Sequence, residues 1–461
     1  MPARGRSERH AVPQRTDLSQ LKRCSSDLAT MLASHSGSSD WHFSRSLESA
    51  SSGIVLCKAT INTILARQSG AGMRIGIVSL YRTLKFHQNY GTLLQNYALQ
   101  SHLRKKGHET FWIRTIKYRS RGYSNLKKIN INDMYHTMKF AFRRMKYAIR
   151  SPLPRTNEKY LLFFKKNVPH TNLEYDYDTL LKDPPIADAY ISGSDQVWSH
   201  AFPLFFLEFA PPLSICIAYA ASAKWQRISE LWLKAAEGRL QKFDAVSVRE
   251  IDGIAICRML GRDDAHLVLD PVFLLTGDEY RALVEGESVI EDHSQQFLWQ
   301  YMVDQTEKSA SNQVIRHFAE CNGLEIKTDA IRGGTKGKRS TAHSARRTPT
   351  EWIDAFDKSK YIITNSFHGT VFSIIFEKPF LVLLREGEKE SGNARILSLL
   401  KLLGLDTRAV KESELDRLSL DEFGLRLLAP VAWCDVRERL TMWRDRSIQF
   451  LDEALDTGNP K

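Results

Sequence analysis

The stretch that decides the fold is Tyr361–Leu384, which reads YIITNSFHGTVFSIIFEKPFLVLL. It begins and ends with short apolar runs, Tyr361–Thr364 and Phe380–Leu384, of the kind that form buried strands. Between these runs apolar residues recur at helical spacing. Lys378 and Pro379 end the helix, because proline has no amide hydrogen to donate and disfavours helical geometry in the residue before it. The pattern predicts a β-loop-α-β unit.

A polar segment, Asn365–Gly369, joins the first predicted strand to the helix. In open α/β sheets ligands bind beyond the carboxyl ends of strands, and a helix N-terminus offers free N–H groups and partial positive charge to an anion. One interpretation is therefore an anion site at His368. The other is that Asn365 or Ser366 only caps the helix and that His368 is an ordinary first-turn histidine.

Composition indicates a globular protein of two or three domains. The chain has 461 residues, of which 43% are hydrophobic and 26% are charged, and no apolar run is long enough to cross a bilayer. Its six cysteines are widely spaced, so we predict free thiols in a reducing cytosol and no structural metal. A net charge of +12 favours anionic partners such as phosphorylated substrates, anionic lipid or nucleic acid.

Residues 1–72 differ in composition from the rest of the chain. They are rich in serine and weakly patterned, and their apolar piece, Ile54–Leu65, does not resemble a signal peptide. Met73 then precedes a strand of the kind that opens an α/β domain. We expect the folded protein to begin at Met73, with a leader that is either disordered or an over-extended start.

The first domain, predicted over residues 73–285, begins as a βαβ unit. A strand over Arg74–Ser79 is followed by a helix from Gly91 that ends in basic residues before Gly107, and then by a strand over Glu109–Ile113. This order favours a parallel sheet with helices on its faces.

A strongly basic segment follows within this domain. Met134–Arg150 can be drawn as an amphipathic helix that lies on an anionic membrane surface, or as a domain helix with solvated charges. Nucleic acid is disfavoured as a partner because no recognisable binding module surrounds the segment.

Polar groups recur at predicted strand ends of the first domain. Four strands end in this way, namely Ala187–Ser192 before Gly193, Ser194, Asp195 and Gln196; Ile215–Ala221 before Ser222; Ala245–Val248 before Arg249 and Glu250; and Leu267–Asp270 before Pro271. Helix capping alone does not readily explain this repetition.

A second domain is predicted over residues 286–410. Its elements are a strand over Phe297–Val303, a helix over Asn312–Asn322, a basic loop over Gly333–Arg347, and a helix that starts with the capping box of Thr348 and Glu351. Residues 411–461 are predicted to be mostly helical.

Taken together, the pieces resemble the polysaccharide pyruvyl transferase family between Arg74 and about Gly404. The motifs that carry the resemblance are Asn89-Tyr90-Gly91, Ser192–Trp198, Ala218–Ser222, Ser247–Glu250, Leu269–Pro271 and Ser366–Gly369. The resemblance implies two Rossmann-like α/β domains in a GT-B-like arrangement with the active site in the interdomain cleft. It also implies transfer of pyruvate from phosphoenolpyruvate to a saccharide as a ketal, with no cofactor. The acceptor would be a sugar or glycan, free or lipid-linked, and the enzyme cytoplasmic, with peripheral membrane contact as an option.

This chemistry assigns roles to the polar residues. Arginine's planar fork suits the phosphate and the carboxylate of the donor, so Arg249 and Arg395 are donor-binding candidates, aided by the helix N-terminus. His368 fits the acid that protonates the enol carbon, because imidazole titrates near neutral pH, and Asp195 fits the base. Asp195 could instead be a loop carboxylate that binds backbone amides. The remaining candidates are Ser366 and Gly369 for the donor and Asn89, Gly91, Ser194 and Gln196 for the cleft wall and acceptor.

The chain departs from the family at two places. Ala223-Lys224 stands where Phe-Gly is common, and Ser366-Phe367 stands where some members have Arg-Leu. Two other functions stay open at this point. A nucleotide-sugar glycosyltransferase would use the same cleft, although the glycines at 70 and 72 precede a strand and fail the dinucleotide pattern. A non-catalytic carbohydrate-binding protein would use none of the proposed chemistry.

Overall fold

The fold was described from a computed structural model of the chain. The structure describes residues 72–81, 89–117, 158–287, 294–303, 311–328, 347–415 and 417–456, which belong to one compact unit. The predicted leader up to residue 71, the basic segment Met134–Arg150 and most of the basic loop at 333–347 lie outside the described residues.

The described residues form two parallel sheets and the helices around them. The strands are β1 (Arg74–Val78), β2 (Glu109–Lys117), β3 (His170–Asp176), β4 (Ala189–Ser192), β5 (Ile215–Ala221), β6 (Ala245–Val248), β7 (His266–Leu267), β8 (Phe297–Tyr301), β9 (Glu325–Thr328), β10 (Tyr361–Thr364), β11 (Phe380–Leu384) and β12 (Ala409–Lys411). The helices are α1 (Tyr90–Lys105), α2 (Glu158–Asn167), α3 (Tyr177–Lys182), α4 (Glu230–Ala236), α5 (Ile251–Met259), α6 (Gly277–Glu285), α7 (Ser311–Cys321), α8 (Pro349–Lys358), α9 (Phe367–Ile375), α10 (Ala394–Leu403), α11 (Glu412–Leu415), α12 (Leu420–Leu428) and α13 (Trp433–Asp456).

The first sheet has seven strands in the order β3-β2-β1-β4-β5-β6-β7, all parallel. Every residue of β4 and β5 is buried, as expected for a parallel sheet covered on both faces. The strand order reverses between β1 and β4. Ligands bind at such a reversal in open α/β sheets, so this is the first place to look for a site.

The second sheet has five parallel strands in the order β12-β11-β10-β8-β9, and its order reverses between β8 and β10. The prediction of two Rossmann-like domains is therefore confirmed. The capping box of Thr348 and Glu351, with Pro349 in the first turn, also begins α8 as predicted.

The two domains share one hydrophobic core. Tyr90 of α1 stacks on Trp352 of α8, with ring centres 5.1 Å apart, and Tyr160 of α2 packs against the edge of the Tyr90 ring. Helix α13 returns to the first domain, where Phe450 and Leu451 pack among residues of the first sheet. The domains therefore face each other in the GT-B manner across a packed interface.

Several strand bounds differ from their predictions; β2, for example, continues past the predicted Ile113 to Lys117. The strand before Asp270 also differs. The strand expected over Leu267–Asp270 covers only His266–Leu267. Asp270 instead caps a 3₁₀ turn at Pro271–Leu274, and its carboxylate accepts the amide of Val272. Among the described residues, none of the helices is sufficiently long and apolar to span a bilayer.

Candidate active site between the two sheets

Polar residues that follow the strands of both sheets meet in the cleft between the domains. Asp195 follows β4, Arg249 follows β6, and His368 lies in the first turn of α9 after β10. All three are buried. Residues from the reversal points of both sheets, β1/β4 and β8/β10, therefore line the same cleft. This agrees with the prediction of an active site between the two domains.

Asp195 occupies a left-handed backbone conformation, with φ of 77°. Such a conformation is unusual for residues other than glycine, although aspartate is enriched in it. One carboxylate oxygen accepts the amide of Gln196 at 2.8 Å, and the other accepts the Thr92 hydroxyl at 2.6 Å. The second bond ties the loop after β4 to the first turn of α1, across the reversal point of the first sheet.

Opposing effects act on the pKa of Asp195. Burial would raise this pKa, but Arg249, His368 and the Thr92 hydrogen bond lower it below the ordinary value. The side chain is therefore held as a carboxylate that can accept hydrogen bonds.

Arg249 lies at the centre of three buried carboxylates. Its Nε donates to Glu250 at 3.0 Å, and its Nη1 donates to Asp270 and, at 3.1 Å, to Ser194. Nη2 lies 3.9 Å from an Asp195 oxygen and has no hydrogen-bond partner among the described residues. Although burial opposes its charge, these carboxylates raise the pKa of Arg249 above the ordinary value. Arg249 is thus a cation whose charge is already compensated by protein.

Asp270 is the buried carboxylate that contacts both Arg249 and His368. Burial would raise the pKa of its carboxyl, but Arg249 and His368 hold that pKa well below its usual range. The Ser194 hydroxyl donates to Asp270 at 3.0 Å. Ser194, a predicted cleft residue, thus connects Arg249 and Asp270 and has no hydroxyl proton left for a ligand in this arrangement.

Glu250 anchors the cluster on its other side. Its oxygens accept the Ser222 hydroxyl and the Trp225 indole N–H, each at 2.7 Å, in addition to Nε of Arg249. Hydrogen bonds from Ser222 and Trp225 therefore hold the Glu250 carboxylate in place, and this carboxylate in turn positions Arg249.

His368 fits the site because Gly91 has no side chain. A Cβ on Gly91 would lie 2.0 Å from Nδ1 of His368, which is an impossible contact. On the other side of the ring, Nε2 lies 3.7 Å from an Asp270 oxygen and has no hydrogen-bond partner among the described residues. The ring is thus held between the two domains, with Nε2 facing Asp270.

Three of the remaining predicted residues have visible structural roles. Asn89 caps α1 by accepting the amide of Thr92, and Ser366 caps α9 by accepting the amide of Gly369 at 3.4 Å. Gly369 has no room for a side chain, because a Cβ would lie 2.2 Å from the Thr364 hydroxyl. The contacts of these residues show capping and close packing, and their predicted roles in substrate binding stay predictions.

Arg395 differs from Arg249 in its surroundings. It lies in the first turn of α10, with its Cζ 5.7 Å from the ring centre of Phe367. It has no hydrogen bond or ion pair with any described residue, and its Nε is buried. Burial and the nearby charge of Arg249 lower the pKa of Arg395 to about 10, although the carboxylates of Asp195 and Glu250 act in the opposite direction. A buried cation whose N–H groups have no hydrogen-bond partner among the described residues is suited to an anionic ligand.

The site also contains residues that were not predicted as functional, namely Thr92, Glu250 and Asp270. Glu250 and Asp270 belong to the polar strand ends seen in the sequence, so that signal could have found them. Thr92 carries no comparable signal, because its partner Asp195 is 103 positions away. Among the described residues, no group of three His, Cys, Asp or Glu side chains is placed to hold a metal ion.

Comparison with solved structures finds proteins of low sequence identity. A putative UDP-N-acetylglucosamine 2-epimerase from Listeria monocytogenes gives a TM-score of 0.48 at 10% identity and covers 85% of this chain and 99% of its own. The UDP-GlcNAc 2-epimerases from Neisseria meningitidis and Methanocaldococcus jannaschii give 0.43 and 0.45, each at 10% identity, 82% of this chain and 99% of their own. No curated protein matches the chain.

Comparison with protein families gives a more direct result. Residues 89–386 match the family described as polysaccharide pyruvyl transferase. This range contains Gly91, Asp195, Arg249 and His368 and most of both sheets. The chain belongs to the polysaccharide pyruvyl transferase family.

Proposed function

We propose that this chain transfers the pyruvyl group of phosphoenolpyruvate to two hydroxyls of a saccharide, which yields a cyclic pyruvate ketal and phosphate. The observation that carries the proposal is the meeting of His368 with Arg249 and Arg395 in the cleft. It combines a titratable ring with an unbonded nitrogen and two guanidinium groups.

The donor brings a phosphate and a carboxylate into the site. Both groups need several N–H donors, and arginine supplies them in a planar arrangement. Arg395 offers N–H groups that have no hydrogen-bond partner among the described residues, and Nη2 of Arg249 adds a donor on the side of Asp195. The first amides of α9 at Phe367 and His368 point out of the helix N-terminus, which favours an anion there.

The proposed reaction conserves all protons of the acceptor diol. His368 gives a proton to C3 of the enol, which becomes the methyl group, while the first sugar oxygen bonds to C2 and loses its own proton. The second sugar oxygen then bonds to C2, the bond from C2 to the phosphate oxygen breaks, and phosphate leaves with the second proton. The proton of the first hydroxyl passes to Asp195 and from there back to His368, which restores the acid, so over one turnover one proton is gained by the methyl carbon and one by phosphate.

Asp195 is proposed to act on the acceptor side. Its low pKa keeps it ionised, so that it can orient a sugar hydroxyl and receive its proton as the C–O bond forms. Gln196 follows directly and is only partly buried, which suits a residue of the acceptor wall. The cytoplasm, where phosphoenolpyruvate is available, is the proposed compartment, and lipid-linked as well as free glycans are proposed acceptors.

Phosphate release from phosphoenolpyruvate tests this proposal. The full chain is incubated with the donor and a panel of mono- and oligosaccharides, with mass spectrometry of the acceptor to detect the ketal. We expect acceptor-dependent release that His368→Ala abolishes. The matched control is His102→Ala, because His102 is also a buried histidine but lies in the last turn of α1, about 15 Å along the helix from Thr92.

Other outcomes would point to other functions. Release that persists in His368→Ala would remove this residue from the mechanism. Failure to bind phosphoenolpyruvate, together with nucleotide release from an activated sugar, would favour a glycosyltransferase. Glycan binding without either reaction would favour a binding protein.

A further inference from the structure

Phe367 lies against Arg249, Arg395 and His368 in the cleft. Its ring centre lies 4.3 Å from Cζ of Arg249 and 5.7 Å from Cζ of Arg395. The His368 ring meets it edge to face, with centres 5.2 Å apart. Phe367 is itself buried, with 3% of its surface exposed. A single side chain therefore lies against both arginines that are proposed to bind the donor and against the proposed acid.

The two arginines depend on this ring to different degrees. Arg249 is also held by hydrogen bonds to Glu250, Asp270 and Ser194. Arg395 forms no hydrogen bond or ion pair with the described residues, and the carboxylates of Asp195 and Glu250 act on it only from a distance, so the ring of Phe367 is the contact that orients its guanidinium in that part of the chain. The loss of the ring should therefore affect Arg395 more than Arg249.

An aromatic ring stabilises a cation in a way that a carboxylate cannot. The face of the ring attracts the guanidinium through its quadrupole, with a contribution of roughly 0.5–2 kcal/mol. It neither neutralises the charge nor accepts the in-plane N–H groups, which stay available to a ligand. A carboxylate in the same place would do both, as Asp270 and Glu250 do for Arg249.

We propose that Phe367 is a positioning residue that holds the Arg395 guanidinium in the cleft with its N–H donors unoccupied, so that Arg395 binds one of the two anionic groups of the donor. This assignment rests on the proposed function, because it takes phosphoenolpyruvate as the donor. The two arginines then have different roles, since Arg249 organises the carboxylates and Arg395 supplies the charge that the ligand neutralises.

A double-mutant cycle tests whether Phe367 acts through Arg395. Affinities for phosphoenolpyruvate and for inorganic phosphate are measured by calorimetry on the full chain and on Phe367→Leu, Arg395→Met and the double variant. We expect Phe367→Leu to weaken phosphoenolpyruvate binding about tenfold in the wild-type background, which is the range of a desolvated cation–π contact. In the Arg395→Met background it should cause little further loss.

Two more variants separate positioning from packing. Phe372→Leu is the matched control, because Phe372 is a buried phenylalanine of the same helix that packs on Tyr280 and Trp352 and on neither arginine. Incorporation of pentafluorophenylalanine at position 367 keeps the ring but removes the electron density of its face. It should weaken binding as Phe367→Leu does and raise KM more than it lowers kcat.

The outcomes distinguish this assignment from the proposed function. If the wild-type chain binds the donor and Phe367→Leu does not change this affinity, the assignment of Phe367 is overturned and the proposed function is not. The same holds if Phe367→Leu weakens binding equally with and without Arg395. Equal losses in Phe367→Leu and Phe372→Leu would also overturn it, since they would show a packing effect. A wild-type chain that binds neither phosphoenolpyruvate nor phosphate would overturn both.

Discussion

Gly91 and His368 are in contact across the two domains, and the contact exists only because residue 91 has no side chain. A Cβ at position 91 would lie 2.0 Å from Nδ1 and 2.5 Å from Cε1 and Cγ of the His368 ring. Gly91 lies in the first turn of α1 and His368 in the first turn of α9, so the contact joins the starts of two helices that flank the sheet reversals. The position of the proposed acid is therefore set by the first domain.

Gly91→Ala should displace the His368 ring and reduce turnover by about two orders of magnitude, which is the cost of moving a catalytic group by about 1 Å. The helix itself should tolerate alanine, because alanine is the better helix former. Phosphate release and thermal unfolding, measured on the same preparation, check both statements.

Gly424→Ala is the control for this substitution. Gly424 is also a buried helical glycine, but a Cβ there would meet Phe318 at an ordinary 3.5 Å. We expect unchanged turnover in this variant. If Gly91→Ala retained full activity, the ring would have another stable position, and the contact between Gly91 and His368 would not matter for the reaction.

Much of the fold could be predicted because its buried strands carry local signals. β5, β6, β10 and β11 have the predicted bounds, since each is an apolar run bordered by polar or turn residues. β3 was not predicted, because it is an edge strand that is partly exposed along its length and carries polar and acidic residues. β3 forms because β2 offers it an edge to pair with, and its own sequence has no strong strand pattern.

The candidate site was predictable in its residue types and less so in its contacts. Strand ends and the family motifs indicated Asp195, Arg249 and His368, whereas the different roles of Arg249 and Arg395 depend on which carboxylates lie within reach. No local pattern shows that Phe367 touches Arg249, because 118 positions separate them along the chain. Long-range contacts of this kind need the three-dimensional fold.

Thr92→Val should change the pH dependence of turnover. The Thr92 hydroxyl donates to Asp195 and helps to lower its pKa, so its removal should raise that pKa. If turnover needs the Asp195 carboxylate, activity should then be lost at a higher pH as the solution is acidified, and the acid limb of the pH–rate profile should move upward. Rates at neutral pH should change less, since the carboxylate stays ionised there.

Thr110→Val is the matched control for this pH profile. Thr110 is likewise buried and hydrogen-bonded, but its partner is the side-chain oxygen of Gln100 at 3.2 Å. Its substitution should leave the acid limb where it is. An acid limb that is the same in all three proteins would argue against Asp195 as the base.

Arg249→Met should strongly destabilise the protein. It would leave Asp195, Glu250 and Asp270 buried without their cation, and the loss of one partner of a buried ion pair costs about 3–5 kcal/mol. Denaturant unfolding followed by circular dichroism measures this free energy. Arg258→Met is the comparison, because the exposed pair of Arg258 with Asp263 should contribute less than about 1 kcal/mol. Equal losses would show that the buried cluster has no special role in stability.

Asp270 should make stability depend on pH in the acid range. Its folded pKa lies below its unfolded value of about 3.9, so the unfolded chain binds the proton more readily. The contribution of the Asp270 carboxylate is therefore complete above the unfolded pKa and is lost as the pH falls below about 4 towards the folded pKa. Denaturant unfolding at several pH values should show this loss.

Asp270→Asn tests the origin of that acid-range slope. The variant should be less stable at neutral pH, because Arg249 loses an ionic partner, yet its free energy of unfolding should fall less steeply below about pH 4. Asp263→Asn, which removes only an exposed carboxylate, should keep the steep wild-type slope. If stability falls equally steeply with pH in wild type and Asp270→Asn, protonation of Asp270 does not cause the loss of stability in acid. Another carboxylate near Arg249 would then be the group whose protonation destabilises the protein.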